Sequence, residues 1–249
     1  MDIIREIRDL AARKNAVILA HNYQPGDIQD IADYTGDSLE LARIAESTRA
    51  DIIVFCGVHF MAESASILNP AKKVLLPDAG AGCPMADMVT PEEVNAFRNE
   101  HPGAAVVTYI NSSAAVKAVS DVVCTSANAR DIVERMPADT ILFFPDRNLA
   151  SYVQRFTSKR VIPWKGFCPT HELFSVEDLE RAKRARPEAL VIVHPECRPD
   201  VVDRANEVLS TGGMVRFVEK TDRREIIVGT ESGMIHRLQK AAPRIEFIP

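Results

Sequence analysis

The sequence predicts an α/β protein built from parallel sheets, and three observations support this fold class. Short apolar runs recur along the 249 residues, and helical stretches lie between them. The runs are near-continuous rather than alternating, which is typical of strands buried on both faces of a sheet. Strand and helix in succession indicate βαβ units with right-handed crossovers. The order of these units also repeats, which predicts three homologous αβα sandwich domains.

Nine apolar runs are the predicted strands. They lie at Val17–Ala20, Ile52–Phe55, Val74–Leu76, Val106–Tyr109, Val122–Cys124, Ile141–Phe144, Leu190–Val193, Met214–Val218 and Ile226–Val228. The predicted helices between them are Ser38–Ser47, Phe60–Leu68, Pro91–Asn99, Ala114–Val119, Ala127–Met136, Val176–Ala185, Val201–Leu209 and Ser232–Ala241. Residues 1–14 are predicted to form a further amphipathic helix, because Ile3, Ile4, Ile7 and Leu10 fall on one helical face.

The nine strands group into three modules of three strands each, which predicts domains 1–87, 88–168 and 169–249. The first strand of each module ends in polar groups, namely His21 with Tyr23, Tyr109 with Asn111, and His194 with Glu196. The third strands are taken to end in Pro-Asp at 77–78 and 145–146 and in Thr-Glu at 230–231. This alignment makes Asp51–Cys56 and Asp121–Cys124 equivalent second strands. The last segment is a candidate to pack back on the first domain.

Composition and charge exclude several classes of protein. The chain carries 30 basic and 35 acidic residues, and this net charge of −5 argues against a nucleic-acid binder. A hydrophobic content of 46% with 26% charged residues is that of an ordinary globular protein. We find neither an apolar stretch long enough to span a membrane nor a signal-peptide core, so we expect a cytoplasmic protein without a membrane partner.

The five cysteines are an odd number, and none forms a CxxC pair. This disfavours a disulfide framework, a zinc ribbon and a thioredoxin motif. Each cysteine is therefore either a small buried residue or a member of a site assembled by the fold. Cys83 and Cys168 lie in glycine-containing loops and precede proline, as iron–sulfur ligands often do. Cys56 and Cys124 end strands and are interpreted as packing residues, whereas Cys197 is ambiguous.

Polar residues gather where the predicted strands end, and ligands of open α/β sheets bind outside these carboxyl ends. Three residue pairs can either hold an anion or serve as N-caps. Asp37-Ser38 precedes a predicted helix, Thr125-Ser126 follows a strand and opens another helix, and Ser210-Thr211 lies at a turn after a third helix. His21 and His194, beside Tyr23 and Glu196, are either structural histidines or proton-transfer groups. Asp78 and Asp146 are interpreted as loop-ordering residues or substrate ligands. The segment Gln24–Asp37 is either a lid or a surface loop.

The whole chain resembles the quinolinate synthase family of NAD biosynthesis. The segments that carry the resemblance are AHNYQ (20–24), GDS (36–38), GVHFMAE (57–63), AGC (81–83), TYINSSAAVKA (108–118), CTSANA (124–129), GFCPTHE (166–172), HPEC (194–197), STGGM (210–214) and GTESGMIHRLQK (229–240). The resemblance implies three αβα domains around a pseudo-threefold axis. It also implies a transferase that condenses iminoaspartate with dihydroxyacetone phosphate to quinolinate, with loss of phosphate and water.

The resemblance further implies an oxygen-sensitive 4Fe–4S cluster held by three cysteines, with Cys83 and Cys168 as the first two. It places the third beyond the equivalent of Arg244–Pro249, so we expect that ligand to be missing from these 249 residues. The implied catalytic residues are His21, Tyr23, Tyr109, His194 and Glu196. The implied substrate-binding residues are His21, Ser38, Tyr109, Asn111, Ser126, His194, Glu196, Ser210 and Thr211.

The expected partners are the two small-molecule substrates and, functionally, an enzyme that produces iminoaspartate, with the chain itself a monomer or homodimer. Two other classes of function stay open. One is a cluster-deficient protein of the same fold that binds small diacids without iron. The other is a triose-phosphate lyase or aldolase, which would favour a Schiff-base lysine, although no lysine occupies one of the polar strand ends.

Overall fold

The chain folds into three four-stranded parallel sheets with helices between the strands. The computed structural model describes residues 3–249. It confirms the predicted α/β class and the three repeated sandwich units. The chain divides into two compact units, one ending at Cys83 and the other running from Pro84 to Pro249. The domain boundaries 1–87, 88–168 and 169–249, and the pseudo-threefold axis, stay predictions.

The first sheet lies in the unit that ends at Cys83. Its elements are α1 (Ile3–Arg13), β1 (Ala16–His21), α2 (Gly26–Ile31), β2 (Tyr34–Gly36), α3 (Ser38–Ser47), β3 (Ile52–Cys56), α4 (His59–Leu68) and β4 (Lys73–Leu75). The strand order is β2-β1-β3-β4, so β1 and β3 are central. β1 is built from AVILAH, and its residues from Val17 onward are all buried.

The second sheet begins the unit that starts at Pro84. After a 3-10 turn at Ala86–Met88, its elements are α5 (Pro91–Glu100), β5 (Ala105–Tyr109), α6 (Ala114–Ala118), β6 (Val122–Cys124), α7 (Ala129–Arg135), β7 (Thr140–Phe144), α8 (Arg147–Gln154) and β8 (Arg160–Pro163). The strand order is β6-β5-β7-β8. Val106, Leu142 and Phe144 form part of its core and are fully buried.

The third sheet completes the same unit. Its elements are α9 (Pro169–Glu172), α10 (Val176–Ala185), β9 (Leu190–Val193), α11 (Pro199–Val202), β10 (Glu207–Val208), α12 (Thr211–Lys220), β11 (Glu225–Gly229), α13 (Met234–Ala241) and β12 (Glu246–Ile248). The strand order is β10-β9-β11-β12, the same arrangement as in the other two sheets. Val191, Val193 and Ile227 lie in its core.

One polar contact recurs in all three sheets and fixes the register of the repeat. The residue before each first edge strand accepts a hydrogen bond, through its side chain, from a backbone N–H of the central strand. The pairs are Asp33 with Ile18 (2.8 Å), Asp121 with Val106 (2.7 Å) and Asn206 with Val191 (2.8 Å), each separated by 15 residues. The backbone N–H of the same residue donates to the carbonyl of the same partner. Ile18, Val106 and Val191 are therefore equivalent positions.

A second repeated contact stabilises the helix that follows each of these edge strands. A basic side chain just before the last strand of the sheet donates to carbonyls at the C-terminus of that helix. Lys72 does so to Ala45 and Thr48 after α3, Lys159 to Met136 and Ala138 after α7, and Arg244 to Val218 and Thr221 after α12. Cations are favourable there because helix C-termini carry partial negative charge and unpaired carbonyls.

Two predicted elements are wrong. Met214–Val218 was predicted as a strand but lies within α12. Met214, Val215 and Val218 are buried on one face of that helix, and such a closely spaced apolar set is hard to tell from a strand. The predicted helix Val201–Leu209 is wrong beyond Val202, where α11 ends and β10 follows.

The short edge strands are missing from the prediction because they contain only two to four residues each. They are β2, β8, β10 and β12, and the helices α2, α8 and α9 are missing as well. The segment Gln24–Asp37, predicted as a lid or surface loop, contains α2 and β2, and β2 pairs with β1. This segment is therefore part of the sandwich.

The predicted alignment of the modules also needs correction. Both β3 and β7 pair directly with a central strand, through Ile18 with Val54 and Val106 with Leu142. Asp51–Cys56 is thus equivalent to Ile141–Asp146 and not to Asp121–Cys124. The recurring Pro-Asp is coincidental, since Pro77-Asp78 follows a fourth strand and Pro145-Asp146 a third. Each module has four strands; the prediction lacked β2 in the first, β8 in the second, and both β10 and β12 in the third.

Candidate active site at the carboxyl ends of the strands

The polar ends of the central strands occupy matching positions in the repeat. His21, Tyr109 and His194 each lie three residues after the equivalent positions Ile18, Val106 and Val191, and all three are buried. Tyr23, Asn111 and Glu196 follow two residues later. The register therefore supports the predicted equivalence of these pairs. It also places all of them at the carboxyl ends of parallel strands, where ligands of α/β sheets bind.

The three helix-opening pairs are equivalent too, since each follows the first edge strand of its sheet. Asp37 and Ser210 serve as N-caps, because Asp37 accepts from Leu39 and Glu40 and Ser210 accepts from Gly213. The capping interpretation is confirmed for these two residues. Thr125 instead accepts from Ala127 in the turn before α7, whose N-cap is Asn128. The second members, Ser38, Ser126 and Thr211, remain the predicted residues for binding an anion.

His194 and Glu196 form a buried chain of polar contacts with the second sheet. The Nε2 of His194 lies 3.2 Å from the hydroxyl of Ser126. The backbone N–H of Glu196 donates to Nδ1 of His194 at 3.4 Å, and the Glu196 carboxylate lies 3.5 Å from that nitrogen. This arrangement assigns the proton of a neutral His194 to Nε2, which donates to Ser126. Three predicted site residues are therefore joined by contacts.

A further buried histidine, His171, belongs to the same cluster, and the sequence reasoning did not single it out. Its Nδ1 lies 2.8 Å from the Glu196 carboxylate and 3.1 Å from the Cys168 sulfur. Its Nε2 lies 2.9 Å from the Thr230 hydroxyl, and its ring stacks on that of His194 at 4.8 Å. The one available signal was its position in GFCPTHE, three residues after Cys168 on a helix.

The charges in the cluster follow from burial and mutual contact. Burial raises the pKa of the Glu196 carboxyl, but His194 and His171 lower it by more, so that it lies well below its usual range. Burial lowers the pKa of His194, although Glu196 opposes that shift. The contacts with the two histidines therefore favour Glu196 as a carboxylate, and burial favours the neutral form of His194.

One oxygen of Glu196 has no protein partner. Oε1 is buried, and it accepts no hydrogen bond from any of residues 3–249. A buried carboxylate oxygen without a donor is costly, and such atoms in folded proteins usually meet a ligand, a water or a proton in transfer. The arrangement therefore offers a buried base, with one oxygen held by His171 and the other available to a bound molecule.

Asp146, which the sequence suggested as a loop-ordering residue or substrate ligand, holds the backbone next to the cluster. It caps α8 by accepting from the Leu149 N–H, and it accepts from the Cys168 N–H at 3.0 Å. Burial and repulsion from Glu196 raise the pKa of Asp146 well above its usual range, against these hydrogen bonds. Its contacts favour the loop-ordering interpretation. Asp78 behaves likewise in the first unit, where it accepts from the Gly80 N–H.

The loops around the cluster are tied together by α8. Asn148 donates to the Glu172 carboxylate and to the Glu196 backbone carbonyl, both at 3.0 Å. Gly166 lies so close to the backbone that an added Cβ would be 2.6 Å from the Pro145 carbonyl. Only glycine fits at that approach, which brings the loop before Cys168 against the end of the third strand of its sheet.

In the first unit, His21 and Tyr23 repeat part of the geometry around His194. The Tyr23 N–H donates to Nδ1 of His21 at 3.3 Å, and the two rings meet edge to face at 4.8 Å. Ser38 opens α3 beside the capping residue Asp37. The convergence of these residues with Tyr109, Asn111, Ser210 and Thr211 on one cavity stays a prediction.

The donor atoms around Cys168 suit a metal centre. Its sulfur, a ring nitrogen of His171 and a carboxylate oxygen of Glu196 all lie within 4.8 Å of one another. Cysteine sulfur is the usual ligand of iron–sulfur clusters. Burial, together with Glu196, raises the pKa of the Cys168 thiol, so a bound cation is what would hold it as the thiolate. Cys83 lies in the corresponding loop after β4 and is partly exposed.

The other three cysteines are buried. Cys56 and Cys124 end β3 and β6, and the Cys197 thiol donates to the Gly229 carbonyl at 3.4 Å. These surroundings are those of packing residues. Among residues 3–249, no helix combines the length and the apolar character that crossing a membrane requires.

Comparison with known proteins covers nearly the whole chain. The family model described as "Quinolinate synthetase A protein" matches residues 5–249. A protein of Methanoregula boonei named quinolinate synthase is 56% identical over 98% of this chain and 81% of its own length. Proteins with the same name from Dehalococcoides mccartyi and Thermodesulfovibrio yellowstonii are 55% and 53% identical, each over 99% of this chain and 82% of its own length.

Proposed function

This chain belongs to the quinolinate synthetase A family, and we propose that it condenses iminoaspartate with dihydroxyacetone phosphate to give quinolinate. Phosphate and water are released. The new ring requires protons to be moved from carbon and hydroxyl groups, and two negatively charged substrates must be held together meanwhile. The single observation that carries the proposal is the buried Glu196 carboxylate. Its Oε1 accepts from no group among residues 3–249, and its Oε2 lies 3.5 Å from Nδ1 of His194.

Glu196 and His194 are the proposed proton-transfer pair. The free oxygen of Glu196 would accept a proton from the substrate as a general base, since a carboxylate excluded from water and held in place is suited to that task. His194, whose Nε2 proton points toward Ser126, would act as the general acid and donate a proton to the substrate. These steps would serve the isomerisation of the triose and the later dehydration.

The remaining predicted residues would bind and orient the substrates. Hydroxyls of Ser38, Ser126, Ser210 and Thr211 would hold the carboxylates and the phosphate, because hydroxyl and backbone donors at helix openings suit anions. His21 would bind a carboxylate, and Tyr23, Tyr109 and Asn111 would orient the intermediate. The equivalence of these positions in the repeat supports the assignment.

We further propose that Cys83 and Cys168 are ligands of a 4Fe–4S cluster. The donor chemistry around Cys168 supports this, as does the position of both cysteines in loops after the fourth strands of their sheets. A bound cluster would supply a Lewis acid that polarises a hydroxyl or carboxylate group of the substrate. The functional partner would be an enzyme that supplies iminoaspartate.

The direct test replaces the proposed base. In anaerobically purified protein, Glu196→Gln should lower kcat for quinolinate formation by about 10²–10⁴-fold, the usual contribution of general acid–base catalysis. Glu188→Gln, at an exposed position, is the matched control and should leave kcat unchanged. Full activity of Glu196→Gln would remove Glu196 as the base. Binding of a diacid by an iron-free protein that forms no quinolinate would instead favour the small-diacid binder.

A further inference from the structure

We propose that His171 is a positioning residue for Glu196, which holds one carboxylate oxygen so that the other faces the substrate. The inference rests on the proposed role of Glu196. It adds a residue for which the sequence indicated no role beyond its position three residues after Cys168. Three chain segments meet at this ring: α9 carries it, the loop after β9 carries Glu196, and the end of β11 leads into Thr230.

Both ring nitrogens of His171 are occupied, so the ring has a defined orientation. The side chain is 1% exposed. Nδ1 lies 2.8 Å from Oε2 of Glu196, and Nε2 lies 2.9 Å from the hydroxyl of Thr230. The ring also stacks on His194, with an interplanar angle of 29°. A ring fixed at both nitrogens and on one face cannot turn without breaking a buried contact.

The contacts decide where the ring carries its proton. Nδ1 lies 2.8 Å from a carboxylate oxygen of Glu196 and 3.1 Å from the sulfur of Cys168. An unprotonated Nδ1 would point its lone pair at the carboxylate, which is repulsive, so Nδ1 carries hydrogen and donates to Glu196 as its nearer partner. The Thr230 hydroxyl can either donate or accept and therefore suits Nε2 in any state of the ring. Thr230 thus fixes the orientation, and Nδ1–H serves the carboxylate.

The two oxygens of Glu196 are consequently unlike. Oε2 is held by the Nδ1–H of His171, while Oε1 is buried and accepts from no group among residues 3–249. The backbone is held separately, because Asn148 donates to the Glu196 carbonyl. Removing the donor at Nδ1 would therefore leave the chain in place but free the carboxylate to rotate about its terminal torsion. We therefore expect Oε1 of Glu196 to lose its fixed orientation toward the reacting atoms of the substrate.

A pair of substitutions separates this role from packing. The amide nitrogen of asparagine can take roughly the place of Nδ1, and that of glutamine roughly the place of Nε2. His171→Gln should lower kcat by about tenfold to a hundredfold, as expected for loss of a hydrogen bond to a charged group. His171→Asn should recover most of that loss. KM should change much less than kcat in both variants, because the inferred role of His171 is to hold Glu196 rather than to bind substrate.

The test has a readout that does not depend on turnover. In full-length protein labelled with ¹⁵N-histidine, the Nδ1 of His171 should be observed as protonated, and Glu196→Gln should shift its resonance whereas Glu188→Gln should not. This measurement reads the contact even if the chain forms no quinolinate, so a failure of the proposed function is distinguished from a failure of the inference.

Three results would overturn the inference. An unprotonated Nδ1 of His171 in the unsubstituted protein would contradict the hydrogen bond. Equal loss of kcat in His171→Gln and His171→Asn, in step with a lowered thermal midpoint, would leave a packing role only. Loss of iron from both variants, measured against the unsubstituted holoenzyme, would make the ring part of the metal centre rather than a support for Glu196.

Discussion

The carboxyl ends of β1 and β9 have the same backbone geometry and different chemistry. In each, a histidine at the strand end accepts from the backbone N–H two residues later, at 3.3 Å for His21 with Tyr23 and 3.4 Å for His194 with Glu196. The accompanying side chain is a phenol in one and a carboxylate in the other. A phenol with an ordinary pKa near 10 cannot serve as a base at neutral pH, whereas a carboxylate can. The repeated backbone thus places a side chain at the same position in each sheet, and the chemistry available there depends on the residue type.

The same division applies to the contacts beneath the strand ends. Two contacts occur in all three sheets. In the first, called the Asx contact, the Asp or Asn side chain before the first edge strand accepts from the central strand. In the second, a basic side chain donates to carbonyls at the C-terminus of the following helix. The residues at the strand ends vary from sheet to sheet, as His21, Tyr109 and His194 do at one position. The comparison therefore predicts that removing a repeated contact lowers the free energy of unfolding by a similar amount in each sheet. Substitutions at the strand ends should instead lower activity by different amounts.

The largest expected effect concerns the cysteines that follow the fourth strands. In anaerobically purified full-length protein, Cys83→Ala and Cys168→Ala should each abolish the brown colour and the bound iron, because a cluster that loses a thiolate ligand is not retained. The measurement is iron and sulfide per chain together with visible absorbance.

Cys56→Ala is the matched control, since Cys56 ends a strand in the first sheet and is interpreted as a packing residue; it should keep its iron. Retention of the cluster in Cys83→Ala but not in Cys168→Ala would break the proposed equivalence of the two loops.

A smaller effect is expected when the repeated Asx contact is removed. Asp33→Ala, Asp121→Ala and Asn206→Ala should each lower the free energy of unfolding by about 1–3 kcal/mol, because each leaves a strand N–H without its acceptor. Denaturant unfolding measures the change, and Asp222→Ala, at an exposed position, is the control. Markedly unequal losses at the three sites would show that the sheets do not share this contact as a common stabilising element.

The smallest effect belongs to the basic caps. Lys72→Met and Arg244→Met keep the length of the aliphatic part but remove the charge, and each should cost about 1 kcal/mol of unfolding free energy. Thermal unfolding should show a lowered midpoint in each variant, while kcat per folded molecule should be unchanged. A loss of kcat without loss of stability would place these residues in the active site, contrary to the comparison.

Much of the scaffold could be predicted because central strands and long helices have strong local patterns. β5 and β7 are continuous apolar runs, and α3 and α10 have exactly the predicted bounds, each beginning after a capping side chain. Four of the edge strands, β2, β8, β10 and β12, were missed, since segments as short as Glu207–Val208 carry no recognisable periodicity. The edge strands β4 and β6 were predicted because they are apolar runs. Met214–Val218 misled because a buried helical face can contain closely spaced apolar residues.

The candidate site was predictable only where its residues lie at strand ends. His194, Glu196 and Ser126 follow apolar runs, and their positions in the repeat could be compared by eye. His171 could not be found that way, because what distinguishes it is contact with residues far along the chain, including Thr230 at a separation of 59 residues. The free oxygen of Glu196 is likewise a property of three-dimensional packing, which no local pattern of residue types contains.

The constant spacing of 15 residues between the central strand and its Asx partner restricts how this protein can change in evolution. The crossover between these positions contains α2 in the first sheet, α6 in the second and α11 in the third. Its sequence is thus free to vary, but its length is the same each time. A single insertion within a strand would turn every later side chain to the opposite face, and His21 or His194 would leave the strand-end position. Substitution, rather than insertion or deletion, is the route by which one ancestral unit could acquire three different chemistries.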